Sequence, residues 1–454
     1  MRTVRDGSGG GSARACGWVL AAALMLGGCG GGVDTSNRNA MLGPLLTGTG
    51  EARQLEELMR RYYYWNDRMP TVAIDASSTA QAALEALRYR PIDRYSFIED
   101  AVRFNQFYGE GRAVGIGITY RIDGETIRLR AVQPESPAGA AGLARGDAIV
   151  SIGGEPAGAL AREGRVSDAF GPQVEGVEVT LGVARNGATR SVTIAKAAYD
   201  VQSVLDARVL DAAARADGTR VRVGYLNLAT FIGTTERQWD QHLAALVAEG
   251  VRDLIVDLRE NGGGLLGSAA HVGATLAPEA AAGQPFVRLR YNDAQRALDQ
   301  RIDFPSIGRS GVERVVFITS PQTCSASESL VNGLRPFREA VTIGETTCGK
   351  PVGFNPQPIA DKVANFVTFA TTNRDGVGDY FDGLEPACAT GQDALLPFGD
   401  VADARIAAAL QWLGDGTCPP SASPSASASA GRARGVAGEP YPGRRGAARL
   451  HGIE

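Results

Sequence analysis

The spacing of apolar residues changes twice along the chain, and each change marks a different kind of structure. Leu55, Leu58, Met59, Tyr62 and Tyr63 recur at helical spacing and predict a helix over Glu51–Asp67, followed by a second over Ser78–Arg88 that ends before Pro91. From about Glu110 the pattern shortens to strands and turns: Gly115, Ile116, Gly117 and Ile118 lead into a hairpin over Thr119–Leu129 that turns at Asp123-Gly124, and two more strands fall around Val177–Val183 and Arg190–Ile194. From Val221 onward, apolar strands alternate with amphipathic helices. Val223–Leu228 reads as a strand, Thr235–Glu249 as a helix, and Leu254–Arg259 as a strand opening into Asn261-Gly262-Gly263-Gly264 and another helix. Asp403–Leu413 closes the series. The pattern predicts a multidomain α/β protein: a helical region over 49–109, a β-rich module over 110–197 and an α/β core over 198–418.

Within the core, Val315–Lys350 reads as a buried strand, a small-residue turn, an amphipathic helix, a short strand and a glycine-flanked lysine. A βαβ unit brings parallel strands side by side, so the turn Ser325-Ala326-Ser327-Glu328 and Lys350 meet at one sheet edge. A serine hydroxyl needs a base before it attacks an acyl carbon, and a desolvated neutral lysine can be that base. Only Lys196, Lys350 and Lys362 are lysines in a chain with 46 Lys and Arg. Arginine does not surrender its proton, so Lys350 is the candidate base, and Lys196 and Lys362 are expected to be solvated. The glycines at 262–264 lack the Lys-Ser/Thr of a phosphate loop. Their bare N–H groups serve either to hold an oxyanion or to make a tight turn. The run Tyr62-Tyr63-Tyr64-Trp65 offers packing for a small cap, with a recognition surface as the alternative. His242 and His271 sit in helical patterns, and His451 lies near the C-terminus.

Bulk properties narrow the function. A net charge of −4 with interspersed signs leaves no nucleic-acid footprint. Arg2, Arg5 and Arg14 precede an apolar run over Cys16–Leu26, which suits a signal-peptide core but is too short to span a bilayer. The run ends in Leu26-Gly27-Gly28-Cys29, which resembles the bacterial lipoprotein box. That resemblance implies cleavage after residue 28, lipidation of Cys29 and an envelope lipoprotein facing the periplasm. Gly30 resembles the outer-membrane sorting cue. Residues 29–48 read as a flexible tether and 419–454, rich in Pro, Ser, Ala, Gly and Arg, as a disordered tail. Cys324, Cys348, Cys388 and Cys418 would remain in an oxidising compartment.

Two resemblances follow from longer motifs. Ser136-Pro137-Ala138 through Gly142-Leu143, Gly146-Asp147, Ile149, Ile152 and Gly154 resembles a PDZ domain over about 110–197, a β-sandwich or barrel-like module. In such a module the Gly115–Ile118 loop would hold a terminal carboxylate while the adjacent strand edge pairs with the peptide. With Asp257-Leu258-Arg259, Asn261, Gly263-Gly264, Ser325-Ala326-Ser327-Glu328 and Gly349-Lys350, the chain resembles the carboxyl-terminal processing (tail-specific) serine peptidases over roughly 50–415. The resemblance implies a core of the Clp-crotonase type, Ser325 as nucleophile, Lys350 as general base, and the Gly263 and Ala326 N–H groups as the oxyanion hole. It implies no metal or cofactor, and protein substrates with apolar C-termini. Ser327 and Glu328 are read as helix-start residues that satisfy free N–H groups. Phe354 stands where the family often carries a glutamine that orients the lysine amine, and Gln357 is a candidate substitute; Gly262 stands where many members have proline.

If Ser325 and Lys350 meet, Cys324 and Cys348 lie on adjacent strand ends, which predicts a Cys324–Cys348 disulfide, with Cys388–Cys418 pinning the closing helix. The reading is an exported Ser-Lys endopeptidase. Its alternatives are a PDZ-bearing envelope adaptor with a weak or inactive core, and a crotonase-like CoA enzyme, which export and the lack of an evident nucleotide site disfavour.

Overall fold

The computed structural model describes residues 50–75, 77–214 and 218–420. The leader, Cys29, the tether and the chain beyond Pro420, with His451, lie outside the described residues. No helix among the described residues is long and apolar enough to cross a membrane.

The core is a six-stranded sheet in the order Val204–Ala214, Arg220–Leu228, Asp253–Asp257, Arg314–Thr319, Val341–Gly344 and Cys388–Ala389. The first pair is antiparallel and the rest parallel. The strands read as unbroken apolar runs because both faces are covered. Leu254, Val256, Val315 and Phe317 point to one side, where Thr235–Ala248, Leu266–Leu276 and Ala326–Leu334 supply Trp239, Leu243, Val272 and Leu330. Ile255, Val316 and Ile318 point to the other, against Ile406 and Ala409 of the closing helix Ala404–Asp415. Asp403 caps that helix by accepting from Arg405 N. The unit over Val315–Lys350 runs as the sequence predicts, with its two strands parallel neighbours in register from Val316↔Val341 to Thr319↔Gly344.

The first helix stops at Tyr62, five residues short of the predicted end at Asp67. Tertiary bonds end it. Tyr63 turns extended (φ −60°, ψ 132°), its hydroxyl donates to Asp93 Oδ2 at 2.7 Å, and Tyr64 N donates to Val367 O. The aromatic run packs: Tyr63 and Trp65 meet edge to face at 5.7 Å, inside a cluster with Phe366 and Val367. The second helix, Ala80–Leu87, is capped by Thr79. Phe97–Asp100 then pairs with Lys362–Asn365 in a separate three-stranded sheet completed by Gln357–Ile359.

The PDZ module orders its main sheet as Ile118–Asp123, Thr126–Val132, Ala148–Ile152, Glu178–Arg185 and Ala188–Ala195. Ile118–Asp123 is therefore an edge strand. Lys196, expected to be solvated, is 1% exposed and donates from Nζ to Gly171 O and Pro172 O, both at 2.9 Å. Two carbonyls at a loop replace the water that the amine would otherwise keep. Lys362 pairs with Glu51 and Asp361 nearer the surface. A four-stranded sheet of Gln300–Asp303, Pro285–Tyr291, Phe369–Thr372 and Val352–Gly353, which the sequence pattern did not mark, flanks the segment that follows Lys350.

Candidate active site

Three loops leave neighbouring strands of the core sheet at the same edge: 258–264, 320–325 and 345–350. Backbone and side-chain bonds tie them together. Cys324 N donates to Asn261 O at 3.1 Å, Cys348 N to Thr323 O at 3.0 Å, and the Thr323 hydroxyl to Leu258 O at 2.8 Å. Below them, Arg259 is 1% exposed and pairs with Asp257, Asp393 and Asp403, while Tyr225 donates to Asp257 at 2.6 Å. Each buried charge thus has an opposite partner. The Asp257-x-Arg259 pair therefore braces the loop that starts at Glu260.

Ser325 sits at the N-cap of the helix Ala326–Leu334 with φ 57° and ψ −115°. This is a costly backbone region for a residue with a Cβ, held by its surroundings. Gly263 (φ +104°) lies directly against it: a Cβ there would come within 2.8 Å of Ser325 Cβ and 3.0 Å of Ala326 N. Gly264 (φ +131°) is pressed on Phe231 O, which a Cβ would meet at 2.0 Å. Both glycines thus serve close approach. They bring the Gly263 backbone and the Ala326 N–H side by side, next to the serine. The Gly263 N–H itself donates to Asn261 Oδ1 at 2.9 Å. An incoming oxyanion at this point would have to take that bond from the amide oxygen.

Glu328 joins the two halves of the site. It is fully buried. One carboxylate oxygen accepts from both Ser325 N (2.9 Å) and Lys350 N (2.8 Å); the other accepts from Gly349 N (2.8 Å) and from the Thr347 hydroxyl at 2.5 Å. Burial pushes its pKa up, against the pull of these four donors. The sequence marks Glu328 as a helix-start acceptor, and it does serve Ser325 N. Its larger share of bonds goes to the lysine loop, and so the Ser325 turn and the lysine loop share one carboxylate oxygen.

Lys350 is 3% exposed, and desolvation pulls its pKa down to about 8, with Asp93 and Glu328 drawing it partly back. Its Nζ stands 4.5 Å from the ring centre of Phe354 and 5.8 Å from that of Tyr95. The candidate substitute Gln357 donates its amide to Asn355 O at 3.0 Å. Asp93, Arg94 and Tyr95 are site residues that sequence reasoning missed. Arg94 donates to Cys348 O (2.9 Å) and Phe381 O (3.1 Å), Tyr95 donates to Gly349 O, and Asp93 accepts from Tyr95 N and Ser96 N, both at 3.0 Å. No local pattern flags Arg94 and Tyr95, because their targets lie beyond the whole PDZ module in sequence, and Asp93 holds the segment that carries them through Tyr95 N and Ser96 N.

Cys324 and Cys348 stand at disulfide separation, Cα atoms 5.2 Å apart, as do Cys388 and Cys418 at 5.4 Å. Cys324, Cys348 and Glu328 also form the one group of potential metal ligands among the described residues. Its sulfurs face each other and its carboxylate is already fully engaged. His271 lies away from this edge and pairs with Asp240 at 2.9 Å.

In the PDZ module, Ile116 and Ile118 are buried, and Gly117 (φ +83°) faces Ser136, where a Cβ would come within 2.1 Å of the serine Cβ. Ala138 N donates to Ile116 O and Gln133 N to Gly117 O, both at 2.8 Å, so the carbonyls of the Gly115–Ile118 loop turn inward beside the edge strand. Arg145 and Arg130 reach from this module to Glu260, which precedes Asn261 in the core.

Three family models match the chain in order: the Peptidase S41 N-terminal domain over 51–97, the PDZ domain over 114–195 and Peptidase family S41 over 222–388. The chain is 26% identical over 315 residues to a carboxyl-terminal-processing protease of Synechocystis sp., covering 67% of this chain and 70% of that one. It is 27% identical over 296 residues to the chloroplastic C-terminal processing peptidase of Tetradesmus obliquus (58% and 61%) and 24% identical over 334 residues to the carboxy-terminal processing protease CtpB of Bacillus subtilis (72% and 66%). The match thus spans roughly two thirds of these relatives. In fold it is similar to a Bacteroides fragilis protein described as an S41 protease (TM-score 0.61, 23% identity, covering 79% of this chain and 96% of that one). It is also similar to the photosystem II D1 C-terminal processing protease (TM-score 0.50, 22% identity, 80% and 96%).

Proposed function

The chain belongs to peptidase family S41, a family of serine peptidases that here carries a PDZ domain, and on that premise we propose that it is an exported endopeptidase in which Lys350 activates Ser325. One observation carries the reading. Glu328 gathers the backbone of a nucleophile-type turn and that of a buried lysine onto one carboxylate oxygen. In acylation, neutral Lys350 takes the Ser325 Oγ proton as Oγ bonds to the scissile carbonyl carbon. The carbonyl pair moves onto oxygen, towards the Ala326 N–H and the Gly263 amide. The ammonium then protonates the leaving amine, and water repeats the sequence to free the enzyme. Substrates are proteins with apolar C-termini, added as a strand to the edge at Ile118–Asp123 with the carboxylate at Gly115–Ile118. The leader and Cys29 support a lipid anchor in the envelope, facing the periplasm. In that oxidising setting Cys324–Cys348 and Cys388–Cys418 form disulfides, and finding either Cys324 or Cys348 as a free thiol by non-reducing peptide mapping would overturn that pairing.

The adaptor reading draws on the Gly263 N–H, which is spent on Asn261 Oδ1. The deciding experiment follows cleavage of an unfolded protein with an apolar free C-terminus by wild type, Ser325→Ala and Lys350→Ala. Cleavage by wild type alone is the expected result. An inert wild type that still binds the tail, under oxidising and reducing conditions alike, hands the function to the adaptor.

A further inference from the structure

The base of a Ser-Lys pair alternates between two forms, a neutral amine before the proton moves and an ammonium after it. Whatever lines its pocket decides how much each form costs. The charged and titratable groups around Lys350 are Glu328 from the nucleophile helix, and Asp93, Arg94 and the Tyr95 phenol from the N-terminal segment. Both carboxylates are committed. Glu328 accepts from four donors, and Asp93 accepts from the Tyr63 and Ser96 hydroxyls and two backbone N–H groups. Arg94 faces the carbonyls of the lysine loop and lies 4.9 Å over the Tyr95 ring. The groups that meet the amine at closest quarters are rings. Nζ is 4.5 Å from the centre of Phe354 and 5.8 Å from Tyr95, both inside the range of a cation–π contact. Phe354 is itself fixed, edge to face, by Phe97 at 5.5 Å and 86°.

We infer that Phe354, backed by Phe97 and joined by Tyr95, is a positioning residue that holds the Lys350 ammonium on a π face, in place of a hydrogen-bonding side chain. The inference rests on the Ser-Lys reading above. A phenyl ring offers the neutral amine no lone pair and no strong donor, so it leaves the nitrogen lone pair free to accept the Ser325 proton. Once the Oγ–H bond has broken and the N–H bond has formed, the same ring attracts the new charge. Its stabilisation therefore belongs to the tetrahedral stage, when negative charge sits on the substrate oxygen and positive charge on Lys350. A hydrogen-bonding amide at this position would hold both forms. The ring selects one.

With three lysines in the chain, the test can be read directly at the amine. Ser325→Ala protein labelled with lysine carrying carbon-13 at Cε gives three signals to follow by NMR. One lysine is expected to show Hε resonances displaced upfield by the ring, and that displacement is expected to vanish in Phe354→Leu, which keeps an apolar side chain but no π face. The proton dissociation constant of this ammonium should rise about twofold to thirtyfold in Phe354→Leu, the range a cation–π contact supplies. In the active enzyme, the acid limb of kcat/KM should move to lower pH and kcat should fall by a similar factor, both restored in Phe354→Tyr. A Lys350 amine that titrates at the same pH in Phe354→Leu as in its parent overturns the inference. If the leucine variant does not fold, Hε shifts at their ordinary positions in the Ser325→Ala protein overturn it just as well. Full cleavage by Lys350→Ala would instead sink the Ser-Lys reading, and the NMR result separates the two failures.

Discussion

At the scale of single residues, Lys350 states the conflict between stability and chemistry most plainly. Its folded pKa of about 8 lies below the ordinary 10.5, because burial disfavours the charged form. Between these values the unfolded chain binds more protons than the folded one, so stability rises with pH across that window. Below about 8 the cost is complete, on the order of 3 kcal/mol by the usual conversion of pKa differences. Lys350→Met is therefore expected to abolish cleavage and to raise stability at pH 7 by up to about 3 kcal/mol. The advantage should shrink as pH rises from 8 towards 10.5, which urea titrations across that range would follow. A methionine variant less stable than wild type at pH 7 would show that the lysine is held by compensating contacts. In the active enzyme the sign is opposite in meaning but shared in origin: kcat/KM should climb as pH passes about 8, where Lys350 becomes neutral. Lys196 makes the contrast. It is as buried as Lys350, yet its amine meets two carbonyls, and nothing in the sequence around it separated a structural from a solvated lysine.

At the scale of elements, the sequence was most legible where the signal is local. The βαβ unit from Val315 to Lys350, the PDZ hairpin and the closing helix follow from periodicity and turn residues, because each is decided within a dozen or so neighbours. The end of the first helix was not legible, because Asp93 and Val367 fix it from far along the chain. Glu328 was half legible for the same reason. Its capping of Ser325 N is an i, i+3 pattern, whereas its bonds to Gly349 N and Lys350 N need the loop to arrive from the next strand. This second role carries a prediction. Glu328→Gln keeps the volume but turns one acceptor oxygen into an NH2 group, which would confront two donors. Each lost charge-assisted bond costs about 1.5–3 kcal/mol, and a displaced catalytic group can cost about a hundredfold in rate. Glu328→Gln should therefore lower the melting temperature and cut kcat about a hundredfold, with KM little changed. A variant that loses stability but keeps kcat would restrict Glu328 to capping.

At the scale of the whole molecule, the PDZ module and the core meet at a cluster of buried charges. Arg145 donates to Glu260 Oε1 at 3.0 Å, to Leu396 O at 2.9 Å and to Asp393, and lies 4.4 Å over the Phe398 ring. Glu260 is also held by Arg130, and Asp393 by Arg259 and Arg405. Glu260 sits between Arg259, which braces the sheet, and Asn261, whose amide holds the Gly263 N–H. The contact is thus a seam whose core side includes Glu260, in the glycine-bearing loop 258–264 beside Ser325. Side chains of Arg145, Glu260 and Asp393 are only 5%, 6% and 10% exposed, so removing one partner leaves charge with little water to fall back on. Arg145→Met preserves much of the apolar stem and deletes the charge. It should destabilise the protein by about 3–5 kcal/mol, the usual cost of breaking a buried pair. It should also speed hydrogen exchange of the amides at 258–264, and lower kcat more than affinity for a C-terminal peptide, since the Gly115–Ile118 loop takes no part in the seam. Fluorescence titration with the peptide, run beside single-turnover cleavage, distinguishes this from general loosening: a loss of peptide affinity as large as the loss of kcat would mean that Arg145 merely holds the PDZ module together.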